Sequence, residues 1–256
     1  QRDLIHFSGL TMGTTYSIKA IPIDKNMDTQ ILKIGIDSVL FSLDKQMSTW
    51  DPNSEISQFN LTHSTEPYAI SESFRMVVKE ALDVSEKTDG FFDITVFDLM
   101  GIWGFGPEPN YGIPNQKEIE TVLFYTGHEK INVTEKSIIK EHPETKLDLN
   151  AIAKGYAVDE VFHFLQSKGF INLFVEIGGE VKCSGRNQLN KYWSIGIENP
   201  SGGNKSNQVF AAIVYSDGGA VATSGNYRNF IELDGEILGH TINPKTGYPI
   251  RTNVLS

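Results

Sequence analysis

Apolar positions recur with helical spacing in the first two thirds of the chain and alternate with polar positions more often in the last third. The first helical stripe is formed by Leu32, Ile36, Val39, Leu40, Leu43 and Met47, with Asp28 as its candidate N-cap. Further helices are predicted after the cap Ser71, after the capping box that begins at Asn115, and over Ile152–Lys168, with Gly169 as C-cap. The pattern predicts helices early in the chain.

Strands are predicted mainly in the second half. Alternation indicates a half-buried strand over Leu10–Ile21, and Leu173–Val181 reads as a strand that Gly178 and Gly179 interrupt with a bulge or a close approach to a ligand. The other predicted strands are Trp193–Ile197, Val209–Tyr215 and a hairpin of Asn229–Leu233 and Glu236–Ile242 with a type I′ turn at Asp234–Gly235. This mixture predicts an α+β fold with mixed sheets.

The stretch Lys146–Asp159 reads as a short strand, to Leu149, that runs directly into a helix. Two residues fit such a joint poorly. Asp148 interrupts an apolar strand, and Gly155 stands in the first turns of the helix, where glycine costs about 1 kcal/mol relative to alanine. The start of a helix is a natural seat for an anion. The alternative is an ordinary strand–helix joint in which Asp148 is a local cap.

Composition narrows the classes of function. With 256 residues, the chain is long enough for one large domain or two intimate subdomains. Its net charge of −10 argues against nonspecific nucleic-acid binding and means that a phosphate ligand needs local cationic help. The single cysteine, Cys183, excludes an internal disulfide and a cysteine-based zinc site. The sequence has no long apolar run typical of a membrane span, and its start at Gln1 without a methionine suggests a processed or engineered N-terminus, so removal of a signal peptide is expected.

Candidate chemistry is scattered, because the common nucleotide, hydrolase and zinc motifs are absent. The segment Thr88–Gly106 carries five aromatic residues among several glycines, which suits either a loop around a flat ligand or a buried aromatic corner. His240 stands beside a turn rich in threonine and glycine. It is either structural or the best available general base, since histidine exchanges protons near neutral pH.

Several short motifs, weak one by one, occur together in an order that closely resembles the ApbE family, the FAD:protein FMN transferases. They are Thr11–Thr14, Ser48–Ser57, Asp89–Thr95, Trp103–Gly106, Leu147–Ala157, Gly178–Glu180, Thr223–Tyr227 and His240–Gly247. The resemblance covers nearly the whole chain and implies a single ApbE-like domain over residues 1–256.

The resemblance implies an enzyme that binds FAD and Mg²⁺, moves the FMN half of FAD onto a threonine hydroxyl of an acceptor protein, and releases AMP. Carried over by motif, the FAD contacts are Met12, Trp50, Phe91, Phe92, Asp93, Asp148, Lys154 and Ile242. The carbonyl of Ala151 binds the metal, and His240 is the catalytic histidine. In many relatives the Trp50 position is tyrosine and the Lys154 position varies. The family's Ala-Asp-x-x-Ala-Thr-type motif, which completes the metal site, is expected beyond Ser256, so the sequence is expected to be truncated there.

The resemblance also implies a place and partners. Members are bacterial enzymes of the periplasm or the outer face of the inner membrane, often lipoproteins, so contact with the membrane surface is expected only through a lipid anchor. Acceptors are typically subunits of membrane redox complexes, and no nucleic-acid partner is expected. Two other functions remain open: a metal-dependent FAD pyrophosphatase giving FMN and AMP, and a non-catalytic FAD-binding protein.

Overall fold

A computed structural model of the chain describes residues 2–24, 27–110, 112–200, 210–225, 230–233, 236–252 and 254. The residues group into two compact units. Unit 1 comprises Gln1–Asp44 and Lys154–Gly225, and unit 2 comprises Lys45–Ala153 and Asn226–Leu255. The prediction of one domain over residues 1–256 stays a prediction beside this grouping.

Unit 1 is built on an antiparallel sheet whose described strands have the order β1-β2-β6-β7-β10. These strands are β1 (Ile5–Thr11), β2 (Thr14–Ala20), β6 (Leu173–Ile177), β7 (Glu180–Ser184) and β10 (Gly218–Val221). A separate pair, β8 (Trp193–Glu198) and β9 (Phe210–Ser216), is also antiparallel. Alternate residues of β2 and β6, such as Ile18 and Val175, are fully buried, so the period-2 pattern places one sheet face in the core.

Two helices belong wholly or largely to unit 1: α1 (Thr29–Met47) and α6 (Ala153–Ser167). The predicted cap of α1 is confirmed, because the Asp28 carboxylate accepts hydrogen bonds from the backbone N–H groups of Gln30 and Ile31 at 2.9 and 3.2 Å. The helices approach closely at Gly35, where a Cβ would collide with the ring of Phe164. A larger residue at position 35 would therefore push the two helices apart.

Unit 2 contains four helices in its described part: α2 (Glu55–Leu61), α3 (Glu72–Lys87), α4 (Phe97–Ile102) and α5 (Gln116–Tyr125). A 3₁₀ turn at His128–Lys130 follows α5. Its strands are β3 (Tyr68–Ala69), β4 (Ile131–Val133) and β5 (Ser137–Lys140) in the order β3-β5-β4, and the hairpin β11 (Phe230–Leu233) and β12 (Glu236–Gly239). The predicted cap Ser71 and the capping box at Asn115 are both confirmed. The α+β prediction is therefore confirmed.

Two predicted strands are hairpins instead. The run Leu10–Ile21 contains the end of β1 and all of β2, joined by a turn at Met12 and Gly13, which both have positive φ. Gly178 and Gly179 are the turn between β6 and β7, with φ values of +59° and +103°, and are not a bulge within one strand. Positive φ at both turn positions matches the twist of a two-residue hairpin, which explains why glycine is paired there.

The predicted strand Lys146–Leu149 is wrong. Leu147 and Leu149 are buried as the alternation required, but this segment is not paired with a strand in the described part of the chain. The side-chain amide of Asn60 occupies the backbone groups of Leu147: its Oδ1 accepts from the Leu147 N–H and its Nδ2 donates to the Leu147 carbonyl, both at 2.8 Å. A buried side chain thus supplies the hydrogen bonds that a neighbouring strand would have supplied.

The remaining predictions about elements have mixed outcomes. Gly169 ends α6 with a φ of +92°, as its predicted C-cap role requires. Gly155 does lie in the first turn of α6, yet a Cβ there would meet no described atom within 4 Å, so packing within the chain does not demand glycine. The predicted turn Asp234–Gly235, the residues Asn226 and Tyr227, and position 256 lie outside the described residues. Across the described residues, every helix is too short or too polar to cross a membrane.

Candidate functional site

The predicted site residues are found in both units. Met12 and Lys154 belong to unit 1, and the other predicted contacts, with Ala151 and His240, belong to unit 2. Each group is described within its own unit.

In unit 1, Met12 occupies the tip of the β1–β2 hairpin. Its φ of 48° lies in the left-handed region, which is uncommon for a residue with a side chain. The Gly178–Gly179 turn lies at the same end of the sheet, because β2 pairs antiparallel with β6 and the Gly178 N–H donates to the Thr15 carbonyl at 3.0 Å. Such unfavourable backbone conformations concentrate at ligand-binding sites, which supports the prediction for Met12.

Lys154, in the first turn of α6, reaches this same end of the sheet. Its Nζ donates to Glu180 Oε1 at 2.7 Å, and a Cβ on Gly178 would lie 3.1 Å from the Lys154 Cδ and 2.8 Å from the Thr14 Cγ2. The other oxygen of Glu180 is buried and has no hydrogen-bond partner among the described residues. An ammonium has three donors, so Lys154 is able to hold Glu180 and still donate to an anionic ligand.

In unit 2, Asp148 forms a turn with Asn150. Its Oδ1 accepts from the Asn150 N–H at 2.7 Å and its Oδ2 from the Asn150 side-chain amide at 2.9 Å. Burial raises the pKa of Asp148 above its ordinary value, and these two hydrogen bonds act in the opposite direction. The carboxylate is therefore held by the turn that leads to the exposed residue Ala151.

Asp148 is also tied to the aromatic segment, because its N–H donates to the Ile94 carbonyl at 2.7 Å. The neighbouring Asp93 is buried and fully engaged by the protein. One oxygen accepts from the N–H and hydroxyl of Thr95 at 2.8 and 2.6 Å, and the other accepts from the His128 N–H at 2.8 Å. Asp93 thus fixes the backbone of its own segment, and its predicted contact with FAD stays a prediction.

The aromatic residues divide into two groups. Trp50 and Phe91 are 66% and 60% exposed, whereas Trp103 is 4% exposed and donates from Nε1 to the Gly247 carbonyl at 2.6 Å. Phe92 is half-buried. The segment Thr88–Gly106 therefore has exposed rings at its start and a buried aromatic corner at its end, with α4 between them. The loop around a flat ligand stays a prediction for its start.

One face of Phe91 is already covered. The ammonium of Lys245 lies 4.4 Å from the ring centroid and forms an ion pair with Asp89 at 2.9 Å. This ion pair lowers the pKa of the Asp89 carboxyl. A flat ligand that stacks on Phe91 therefore has to use the opposite face or displace the Lys245 side chain.

The last two predicted residues lie near the same aromatic corner. Ile242 is buried in a hydrophobic cluster with Leu99, Trp103, Ile119 and Val122. His240 follows β12, and its ring meets that of Phe105 edge-on with the centroids 6.4 Å apart. The side chain of Ile242 is thus used for packing, so its backbone is the part that remains suited to a ligand.

The oxygen donors beside Asp148 fit a hard cation. The Ala151 carbonyl and the Asp148 carboxylate are the ligand class that Mg²⁺ prefers. Among the residues that the structure describes, no group of three histidine, cysteine or acidic side chains is arranged to hold a metal. Within the described residues a magnesium ion would therefore depend on backbone and single carboxylate oxygens, and the remaining ligands expected beyond Ser256 lie outside them.

Sequence reasoning missed the residue that holds this region in place, Asn60. Asn60 is buried in the last turn of α2, where Ile56, Phe59 and Asn60 share the buried face. The available signal was an asparagine at the i+4 position of an apolar helical stripe, since a buried amide needs partners. Glu180 and Lys245 were seen only as parts of motifs, and their contacts with Lys154 and Phe91 became visible in the fold.

Comparison with known proteins gives consistent results. The sequence model of the ApbE family matches residues 12–256. The FAD:protein FMN transferase of Vibrio cholerae is 42% identical over 255 residues, which are 99% of this chain and 75% of the relative. The enzyme of the same name from Escherichia coli K12 is 35% identical over 97% of this chain and 71% of its own length.

Solved structures of related proteins also have closely similar folds. The flavin transferase ApbE from Vibrio cholerae superimposes with a TM-score of 0.89 at 41% identity, covering 100% of this chain and 81% of the other. The apo form of the Pseudomonas stutzeri flavinyl transferase ApbE gives a TM-score of 0.87 at 34% identity, covering 98% and 77%.

Proposed function

The chain belongs to the ApbE family, and we propose how its residues carry out the family's reaction. It is an enzyme of flavin transfer, an FAD:protein FMN transferase, and FAD is its substrate. The proposal concerns the finer steps: the acceptor group, the leaving group, the metal and the residues that act on them.

The acceptor group is a threonine hydroxyl of another protein. Its oxygen attacks the phosphorus of the FMN half of FAD, the bond from that phosphorus to the bridging oxygen breaks, and AMP leaves with that oxygen. The hydroxyl gives up one proton, which needs a base because threonine is a weak nucleophile at neutral pH. His240 is proposed to accept this proton, since an imidazole does so near neutral pH.

The turn from Asp148 to Ala151 is proposed to bind FAD and Mg²⁺. The observation that carries this proposal is the 2.7 Å hydrogen bond from the Asp148 N–H to the Ile94 carbonyl, which brings the two predicted ligand-binding segments, around Asp93 and Asp148, into contact. When bound, Mg²⁺ withdraws charge from the phosphoanhydride. The Ala151 carbonyl would be one of its ligands.

Lys154 is proposed to supply positive charge for the pyrophosphate. The protein carries a net charge of −10, so an anionic substrate gains little from its overall field. Lys154 lies in the first turn of α6, where the helix dipole also favours an anion. Its contact with Glu180 fixes the direction of the ammonium.

The two other functions differ from transfer in their products. A pyrophosphatase would use water in place of the hydroxyl and give free FMN and AMP, and a binding protein would leave FAD unchanged. The test incubates the enzyme with FAD, Mg²⁺ and a domain that carries an acceptor threonine, and then separates the nucleotides. AMP without an equal amount of free FMN is expected; equal amounts of both would indicate hydrolysis.

From the family resemblance we also propose a location and a partner. The enzyme acts outside the bacterial cytoplasm, in the periplasm or at the outer face of the inner membrane, as a lipoprotein. Its acceptor is a subunit of a membrane redox complex. Fractionation of bacterial cells that produce the protein tests the location, because a cytoplasmic enzyme would contradict it.

A further inference from the structure

We infer that Asn60 is a positioning residue for flavin transfer, acting through the backbone of Leu147 on the turn from Asp148 to Ala151. This inference rests on the proposed binding of FAD and Mg²⁺ at that turn.

The side chain of Asn60 pairs with the backbone of Leu147. Asn60 is 6% exposed and stands 87 positions before Leu147, yet its amide satisfies both backbone groups of that residue at 2.8 Å. Both hydrogen bonds are buried, and Leu147 is completely buried. Water is therefore not available to replace the amide, and loss of Asn60 would leave a donor and an acceptor without partners.

The backbone of Leu147 leads directly into the proposed site. Leu147 directly precedes Asp148, whose N–H is bonded to Ile94 and whose carboxylate is bonded to Asn150. Leu149 is buried, so the chain is anchored on both sides of Asp148. The segment has no partner strand among the described residues, and Asn60 supplies the backbone hydrogen bonds that such a strand would supply. Its loss would therefore let Asp148 and the Ala151 carbonyl move relative to the Asp93 segment.

The pairing made by the Asn60 amide differs from an ordinary buried hydrogen bond. The buried bond from Ser85 Oγ to the Ala81 carbonyl in α3, by contrast, stays within one helix and does not reach the site. Asn60 joins α2 to a segment that carries two predicted ligand contacts. A change at position 60 should therefore alter FAD affinity more than an equally destabilising change in α3.

The experiment compares Asn60→Leu with the matched control Val78→Ala, which removes buried atoms from α3 in the same unit. FAD dissociation constants are measured with Mg²⁺ present, well below the unfolding temperature of each variant. We expect Asn60→Leu to weaken FAD binding about tenfold or more, the scale of an unpaired buried polar group, and Val78→Ala to leave it unchanged. Equal FAD affinity in Asn60→Leu and wild type would overturn the inference.

A second variant covers the case in which Asn60→Leu does not fold. The side chain introduced by Asn60→Asp can both accept and donate a hydrogen bond when its carboxyl group is protonated. Burial raises the pKa of a carboxyl group. FAD affinity of Asn60→Asp, relative to wild type at the same pH, should therefore recover as the pH falls from about 8 to about 5.5. A constant ratio across this range contradicts the inference.

A readout without FAD separates this inference from the proposed function. Amide exchange of the Leu147–Ala151 segment should be faster in Asn60→Leu than in Val78→Ala, because the Leu147 N–H loses its acceptor. Equal exchange in the two variants also overturns the inference. Failure of the wild-type protein to bind FAD would instead contradict the proposed function.

Discussion

The N–H of Asp148 donates a 2.7 Å hydrogen bond to the carbonyl of Ile94, which joins two segments that lie more than fifty residues apart in the sequence. One segment carries Phe91, Phe92 and Asp93, and the other carries Asp148 and Ala151. Each was predicted to contact the same substrate. This bond fixes the position of one backbone segment relative to the other. A shift of either segment would therefore change the distance between the aromatic side chains and the Asp148 carboxylate.

Asp148→Asn tests whether the carboxylate acts on the ligand or only forms a turn. Asparagine retains an oxygen that accepts from the Asn150 N–H, so the turn and the stability of the fold should be preserved. We expect FAD affinity in the presence of Mg²⁺ to fall about tenfold, the scale of one charge-assisted contact. Unchanged affinity in a binding titration would return Asp148 to the role of a local cap.

His240→Ala is expected to separate binding from chemistry. The ring of His240 is half-buried and meets that of Phe105 edge-on, and its removal should leave the fold intact. FAD affinity should stay within about twofold, whereas the transfer rate should fall by about 10² to 10⁴, the usual contribution of a general base. A stopped assay of flavinylated acceptor gives the rate. Transfer at the wild-type rate would remove His240 from the mechanism.

Trp50→Ala and Trp103→Phe form a matched pair that tests the division of the aromatic residues. Trp50 is exposed, so its loss should weaken FAD binding with little change in unfolding free energy. Trp103→Phe removes the hydrogen bond to the Gly247 carbonyl and should destabilise the protein by about 1–2 kcal/mol. Its effect on FAD affinity should be the smaller of the two. Denaturant unfolding and FAD titration of both variants check this, and the reverse order would contradict it.

Lys140 should make stability rise with pH in the alkaline range. Its buried ammonium donates to the Thr62 carbonyl at 2.8 Å and lies 4.5 Å from the Phe59 ring centroid. Burial, together with the nearby charge of Lys146, lowers the pKa of Lys140 to about 8. An unfolded lysine titrates at about 10.4, so between these values the unfolded chain binds the extra proton and the free energy of unfolding increases with pH.

Urea unfolding between about pH 8 and pH 10 measures this effect. The wild type should show an upward contribution of at most about 1.4 kcal/mol per pH unit, and Lys140→Met should lack it. Lys136→Met serves as the control because that residue is exposed. Identical pH dependence in wild type and Lys140→Met would contradict the lowered pKa.

The sequence predicted most accurately the parts of the fold that depend on residues close together in the chain. Caps at Asp28, Ser71 and Asn115 act within one helical turn, so their signals are local and were correct. The hairpin turn at Met12 was missed, because a methionine at positive φ is not a turn signal. The segment around Leu147 showed the burial of a strand but not its pairing, which depends on a residue 87 positions away.

The candidate site was predictable as a set of residues but not as an arrangement. Trp50 was predicted to contact FAD and Trp103 only to lie in the aromatic segment, and the fold shows that the first is exposed and the second is part of a core. Likewise, no spacing rule indicates that Lys245 covers a face of Phe91. Long-range contacts between polar side chains carry this information, and they leave little periodic trace in the sequence.

The mass of an acceptor domain after incubation with the enzyme, FAD and Mg²⁺ tests the central claim most directly. We expect intact-mass spectrometry to find one added FMN group per target threonine, and a domain with this threonine changed to valine to gain nothing. An acceptor of unchanged mass, while FAD is converted to free FMN and AMP or is not consumed, would contradict flavin transfer by this protein.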